Sequence, residues 1–214
     1  MNRRAVAQAL LRSHGSTYAR EAGIRLRDTP QPLYQLLLLA LLLSAPIRAG
    51  VAVSTARALD EAGLRNPRRM TEATWQQRVD ALGRGGYRRY DESTATRLGD
   101  GAELLIRRWH GDPRRMRAEA DGDIAVLRRL LQDLPGIGPV GADIFLREAQ
   151  AVWPEVAPYF DTRALRGAEQ LGLGTDTAAL TRLAGDAGPA ALAAALVRAS
   201  LDHDIIEELS PSGG

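Results

Sequence analysis

Apolar residues recur at helical spacing along most of the chain. Leu127, Leu130, Leu131 and Leu134 follow an i, i+3, i+4, i+7 pattern, which is one face of a helix. Asp123 stands just before this stripe, where a carboxylate caps a first turn. The run Leu33–Ala45 is apolar almost without interruption. It predicts a buried helix over about 31–44, stopped near Pro46, which has no N–H to give to the ladder. Similar patterns predict helices at 3–13, 47–63, 71–82, 139–150 and 188–202. Two more are expected, one from Asp91 as cap to about Trp109 and one starting just after Asp161. Breaks fall at the glycine-rich LGRGGYRRY, at HGDP (110–113), and between Pro154 and Pro158. The final SPSGG is expected to fray. No segment alternates apolar and polar residues as a strand would, and no repeat is present. The expectation is an all-α protein.

Composition agrees with that picture. Aromatic residues make up 5% of the chain and hydrophobic residues 45%. With 214 residues the chain can build one or two cores. Its net charge is only +2, and lysine is absent, so every Lys/Arg position is arginine. Arginine richness is a mild pointer to an anionic partner, which biased coding explains equally well. There is no cysteine. Disulfides, Cys-ligated zinc and Cys-ligated iron–sulfur clusters are therefore excluded. The opening MNRRAVAQALLRSHG is too polar for a signal peptide. Leu33–Ala45 falls short of the roughly 20 apolar residues that span a bilayer. A soluble, monomeric, cytoplasmic protein is the expectation.

The stretch LPGIGPVGAD (134–143) joins two apolar helical segments through a Gly-x-Gly turn. Glycine lets backbone amides face outward with no Cβ in the way. The next helix adds its free first-turn amides and the positive end of its dipole. Such a corner can hold a phosphate. The same residues also suit an ordinary helix–turn–helix corner with a glycine C-cap. Further along, FDTRALR (160–166) places Asp161 at the start of another helix.

LPGIGPVGADIF followed by FDTRALR resembles the helix–hairpin–helix DNA glycosylase superfamily, in its endonuclease III-like branch. PLYQLLLLALLLSA resembles that family's first barrel helix and GGYRRYD its mid-barrel loop. The resemblance implies two helical domains flanking a DNA-binding groove. One would be a barrel at 30–154, with the helix–hairpin–helix at about 123–150. The other would join 1–29 to 155–214. Double-stranded DNA is the implied partner. The amides of Gly136, Ile137, Gly138, Val140 and Gly141 would hold a DNA phosphate. The carbonyls of Gln132, Leu134 and Ile137 would hold a structural Na+ or K+; no other cofactor is required. Asp161 matches the family's catalytic aspartate. Breaking an N-glycosidic bond builds positive charge on the sugar, which a carboxylate stabilises. Asp161 also reads as a helix N-cap, and Asn at 161 would preserve that cap, so folding is expected to survive the exchange.

The chain departs from the family pattern in several places. Val140 stands where bifunctional members carry the lysine that forms a Schiff base, and only the Met1 α-amine could substitute. Lysine-dependent lyase chemistry is excluded. Ala40 stands where the adenine-specific branch has a glutamate. Pro46, Ile47 and Arg48 follow LLSA, where relatives often carry a gap-filling glutamine. In GGYRRYD, Tyr87 would wedge or stack in the duplex while Arg88 and Arg89 touch phosphates. Equally, the loop reads as a solvated turn with a half-buried tyrosine. His14, His110 and His203 lack metal spacing and are expected at the surface or at caps. Trp75, Trp109 and Trp153 are expected in the core. The expected function is a monofunctional DNA glycosylase of base excision repair using Asp161; the alternative is a catalytically silent protein that binds damaged or distorted duplex, and a third is a purely structural helical protein.

Overall fold

The leucine stripes and alanine runs assemble two helical packing units in the computed structural model, which describes residues 2–209. The SPSGG tail and Met1 with its α-amine lie outside the described residues. All regular elements among the described residues are helical.

One unit is Ala19–Phe145. Its centre is α3 (Pro30–Ser44), where Leu33, Leu36, Leu39 and Leu42 are completely buried. Around it stand α4 (Ala49–Glu61), α5 (Pro67–Glu72), α6 (Trp75–Arg84), α7 (Asp91–Trp109), α8 (Pro113–Ala120) and α9 (Ile124–Gln132). α3 packs on α4 and α8, and α7 packs on α5, α6 and α8. α10 (Pro139–Ala149) begins in this unit and ends in the other. A four-residue α2 (Tyr18–Glu21) stands at the other crossing.

Local chemistry corrects several sequence expectations. The single helix expected at 71–82 is two. Asn66 caps α5 by accepting from the Arg69 amide, and Pro67 sits in the first turn. Thr74 and Gln77 then form a reciprocal capping box that restarts the chain as α6. Asp91 is not the cap of α7. Tyr90 holds the N-cap position, and Asp91, already helical, accepts from the Glu92 amide instead. Its charge still suits the first turn. α8, which the apolar pattern did not announce, starts with Asp112 as cap and Pro113 in its first turn. Trp109 and Trp153 are buried, but Trp75 is 40% exposed and donates its indole N–H to the Thr96 hydroxyl at 3.2 Å.

The other unit combines Met1–Tyr18 with Leu146–Gly214. It holds α1 (Arg3–His14), α11 (Thr162–Gln170), α12 (Thr177–Ala184), α13 (Gly188–Leu201) and α14 (His203–Leu209). α13 touches each of the other four. Its run of alanines allows close approach: a Cβ on Gly167 of α11 would overlap the Leu196 carbonyl. That contact fixes where α11 lies, and therefore where its first residue stands. No helix among the described residues is long and apolar enough to cross a membrane.

Candidate nucleic-acid interface

The stripe Leu127, Leu130, Leu131 and Leu134 is buried as a set, so α9 is anchored up to the turn that follows. Asp123 caps α9, accepting from the Ala125 and Val126 amides. Gly136 makes the reversal at φ +90. This backbone suits glycine for a second reason, since a Cβ would come within 2.7 Å of Leu41 Cδ1 and 3.3 Å of Arg97 Cδ. α10 is tied back to α9 by a bidentate pair, Arg128 Nε and Nη2 donating to Asp143 at 2.6 and 3.0 Å.

The amides expected to hold a phosphate are not equivalent. That of Ile137 donates to the Leu134 carbonyl at 3.0 Å inside the turn, and Ile137 is buried. Gly141 is also buried, and a Cβ there would lie 3.5 Å from Ile137 and 3.6 Å from Ser44 Oγ. Gly136 is half-buried, whereas Gly138 and Val140 are exposed, Val140 at 54%. A Cβ on Gly138 would meet nothing within 4 Å. Pro139 has no N–H, and the first amide with a helical acceptor is Ala142, bonded to the Gly138 carbonyl. The hairpin therefore offers a narrow backbone surface centred on Gly138 and Val140.

Two further segments adjoin it in the same unit. The closeness of Gly141 to Ser44 sets the hairpin beside the loop 45–48, in which Ile47 is half-buried and Arg48 exposed. Arg48 occupies the N-cap of α4 without a side-chain cap bond. A Cβ on Gly86 would lie 3.8 Å from Val51 of α4, so the glycine-rich loop borders the same helix start. Arg88 and Arg89 are exposed there, Arg89 lying over the Tyr90 ring. Tyr87 is not part of this surface. It is 3% exposed, with its hydroxyl 3.1 Å from that of Thr94. Its ring is core, and the wedge expected of it has no side chain to make it.

Asp161 lies in the other unit. It is the N-cap of α11, with Oδ1 accepting from the Ala164 amide at 2.8 Å. Oδ2 is held by Nη1 of Arg147 in an ion pair whose side chains are 4% and 6% exposed. Both carboxylate oxygens are thus engaged. The sequence reading missed Arg147 and the residues beside it. Glu148 accepts from the Tyr18 amide at 3.1 Å. The Gln150 side chain grips Tyr159 twice, donating to its carbonyl and accepting from its amide at 2.8 Å each. Arg147, Glu148 and Gln150 are buried polar residues within four positions of sequence. The motif REAQ, polar where an apolar face was due, was the available signal. It clasps the segment that leads to Asp161.

No family model matches the chain, and no curated protein does. A solved structure of endonuclease III, trapped as a covalent intermediate with DNA in an estranged-adenine complex, is similar at 19% sequence identity. The similarity covers 75% of this chain and 70% of that one, with a TM-score of 0.47.

Proposed function

We propose that this protein binds duplex DNA through the hairpin around Gly138 and that it holds damaged or distorted duplex without removing a base. The backbone at Gly138 and Val140 would take one phosphate, and Arg48, Arg88 and Arg89 would take its neighbours along the strand. These contacts position the duplex and read no sequence. Gln132 ends α9, and Leu134 and Ile137 follow it in the turn; carbonyls left free there would suit a monovalent cation. Leu134 already accepts from Ile137 and would lend its second lone pair. Such an ion would brace the turn and take no part in chemistry.

The observation that carries this reading is the buried Arg147–Asp161 pair. A carboxylate stabilises a cationic transition state only with charge that is not already cancelled. Base excision by a monofunctional glycosylase is the second reading, favoured by the placement of Asp161 at the start of α11. One experiment separates them. Duplexes carrying defined lesions are incubated with the protein, and abasic sites are revealed by alkali beside a binding titration at several salt concentrations. The proposal expects salt-dependent binding with no abasic sites. Abasic sites lost in an Asp161→Asn variant that keeps its helical content and still binds duplex would establish the second reading, and salt-independent or absent binding would end both.

A further inference from the structure

Arg147 stands out among the groups that the DNA-binding surface does not use. It is 3% exposed, on the last turn of α10, and its Nη1 meets Asp161. Its Nε is buried with no partner. A purely structural contact here would be cheaper as two apolar side chains, because buried charges lose their hydration and are repaid only when fully hydrogen-bonded. The pair must therefore be judged by its effect on Asp161. Screening by water is weak at a side chain 6% exposed. In that setting an uncancelled carboxylate would exert a strong field, and an adjacent guanidinium removes most of it. Arg147 would itself repel a positively charged sugar.

We propose that Arg147 silences Asp161: it is a positioning residue that binds the carboxylate as a neutral pair and so keeps the chain from excising bases. The inference rests on the reading of duplex binding without excision. With a neutral side chain at 147, Asp161 keeps its cap bond to Ala164 and regains a free oxygen. It can then stabilise positive charge on a deoxyribose as the N-glycosidic bond breaks. The base leaves with the bonding electron pair and takes up a proton, and water adds its oxygen to C1′ and releases a proton to solvent.

The test uses the full chain and single-turnover abasic-site formation on a panel of lesion duplexes. Wild type, Arg147→Gln, Arg147→Asn and the double variant Arg147→Gln/Asp161→Asn are compared, each checked for helical content and duplex affinity. The expected result is wild type at background and at least one neutral single variant ten-fold or more above it on some lesion. The double variant should return to background, which a merely structural role would not produce. Folded, DNA-binding single variants that stay at background overturn the proposal. So does loss of helical content in both, which would make the pair a requirement of folding. If wild type itself excises through Asp161, the non-catalytic reading fails separately. Arg147 then remains a restraint only if its neutral variants are faster than wild type, and equal or slower rates overturn that too.

Discussion

Two helix starts in this chain are built in opposite ways. At the start of α10 the backbone is bare: Gly138 faces open space, Pro139 brings no donor and Val140 is exposed. At the start of α11 the same kind of electropositive end is already filled by the Asp161 cap, whose remaining charge Arg147 cancels in turn. A helix end left open at the surface can take an anion from outside, whereas one satisfied from within has become part of the fold. The sequence resemblance treats both as parts of one DNA-processing machine. Their geometry differs: one leaves its amides open to the surface and the other does not.

The sharpest way to break that contrast is to remove the inner charge. Asp161→Asn should keep the cap but leave a buried guanidinium unpaired, at a cost of about 3–5 kcal/mol. This reverses the expectation that the exchange would leave folding unaffected. Chemical denaturation would measure it, and the double variant with Arg147→Gln should be more stable than Asp161→Asn alone. A loss below about 1 kcal/mol would mean that the pair behaves like an exposed one. Next in size, Gly136→Ala forces a side chain into a left-handed backbone, costing about 1–2 kcal/mol before Leu41 moves aside. The same denaturation curves would show it. Gly138→Asp should leave stability almost unchanged, because its Cβ meets open space, yet weaken duplex binding about ten-fold or more. Equal affinity in a titration at moderate salt would reduce the hairpin to a corner. The smallest effect is expected at the loops. Arg88→Ala or Arg48→Ala should each flatten the slope of log affinity against log salt by about one. A variant with an unchanged slope would place that arginine off the path of the backbone.

Much of the fold was legible because its signals are local. The Leu127–Leu134 stripe and the apolar run of α3 could only be helices with buried faces. α5 and α6 were merged because a capping box inside a helical pattern ends one helix and starts another without any apolar break. The candidate site was half legible. Gly-x-Gly marked the turn, but which amides stay free depends on a bond inside the turn, from Ile137 to Leu134, and on the burial of Gly141 beside Ser44. Tyr87 looked like an outward-facing loop residue because its hydroxyl partner, Thr94, belongs to the following helix. Arg147 lies far from Asp161 along the chain, and no period in the sequence connects a last-turn arginine to the cap of the next helix.

The Gly136 turn has a thermodynamic consequence. Wedged between Leu41 and Arg97, and braced by the Arg128–Asp143 pair, it has little room to change shape. A pre-shaped loop spends little conformational entropy on association. Duplex binding should then proceed in one fast, salt-steered phase with a small heat-capacity change, rather than through a slow ordering step.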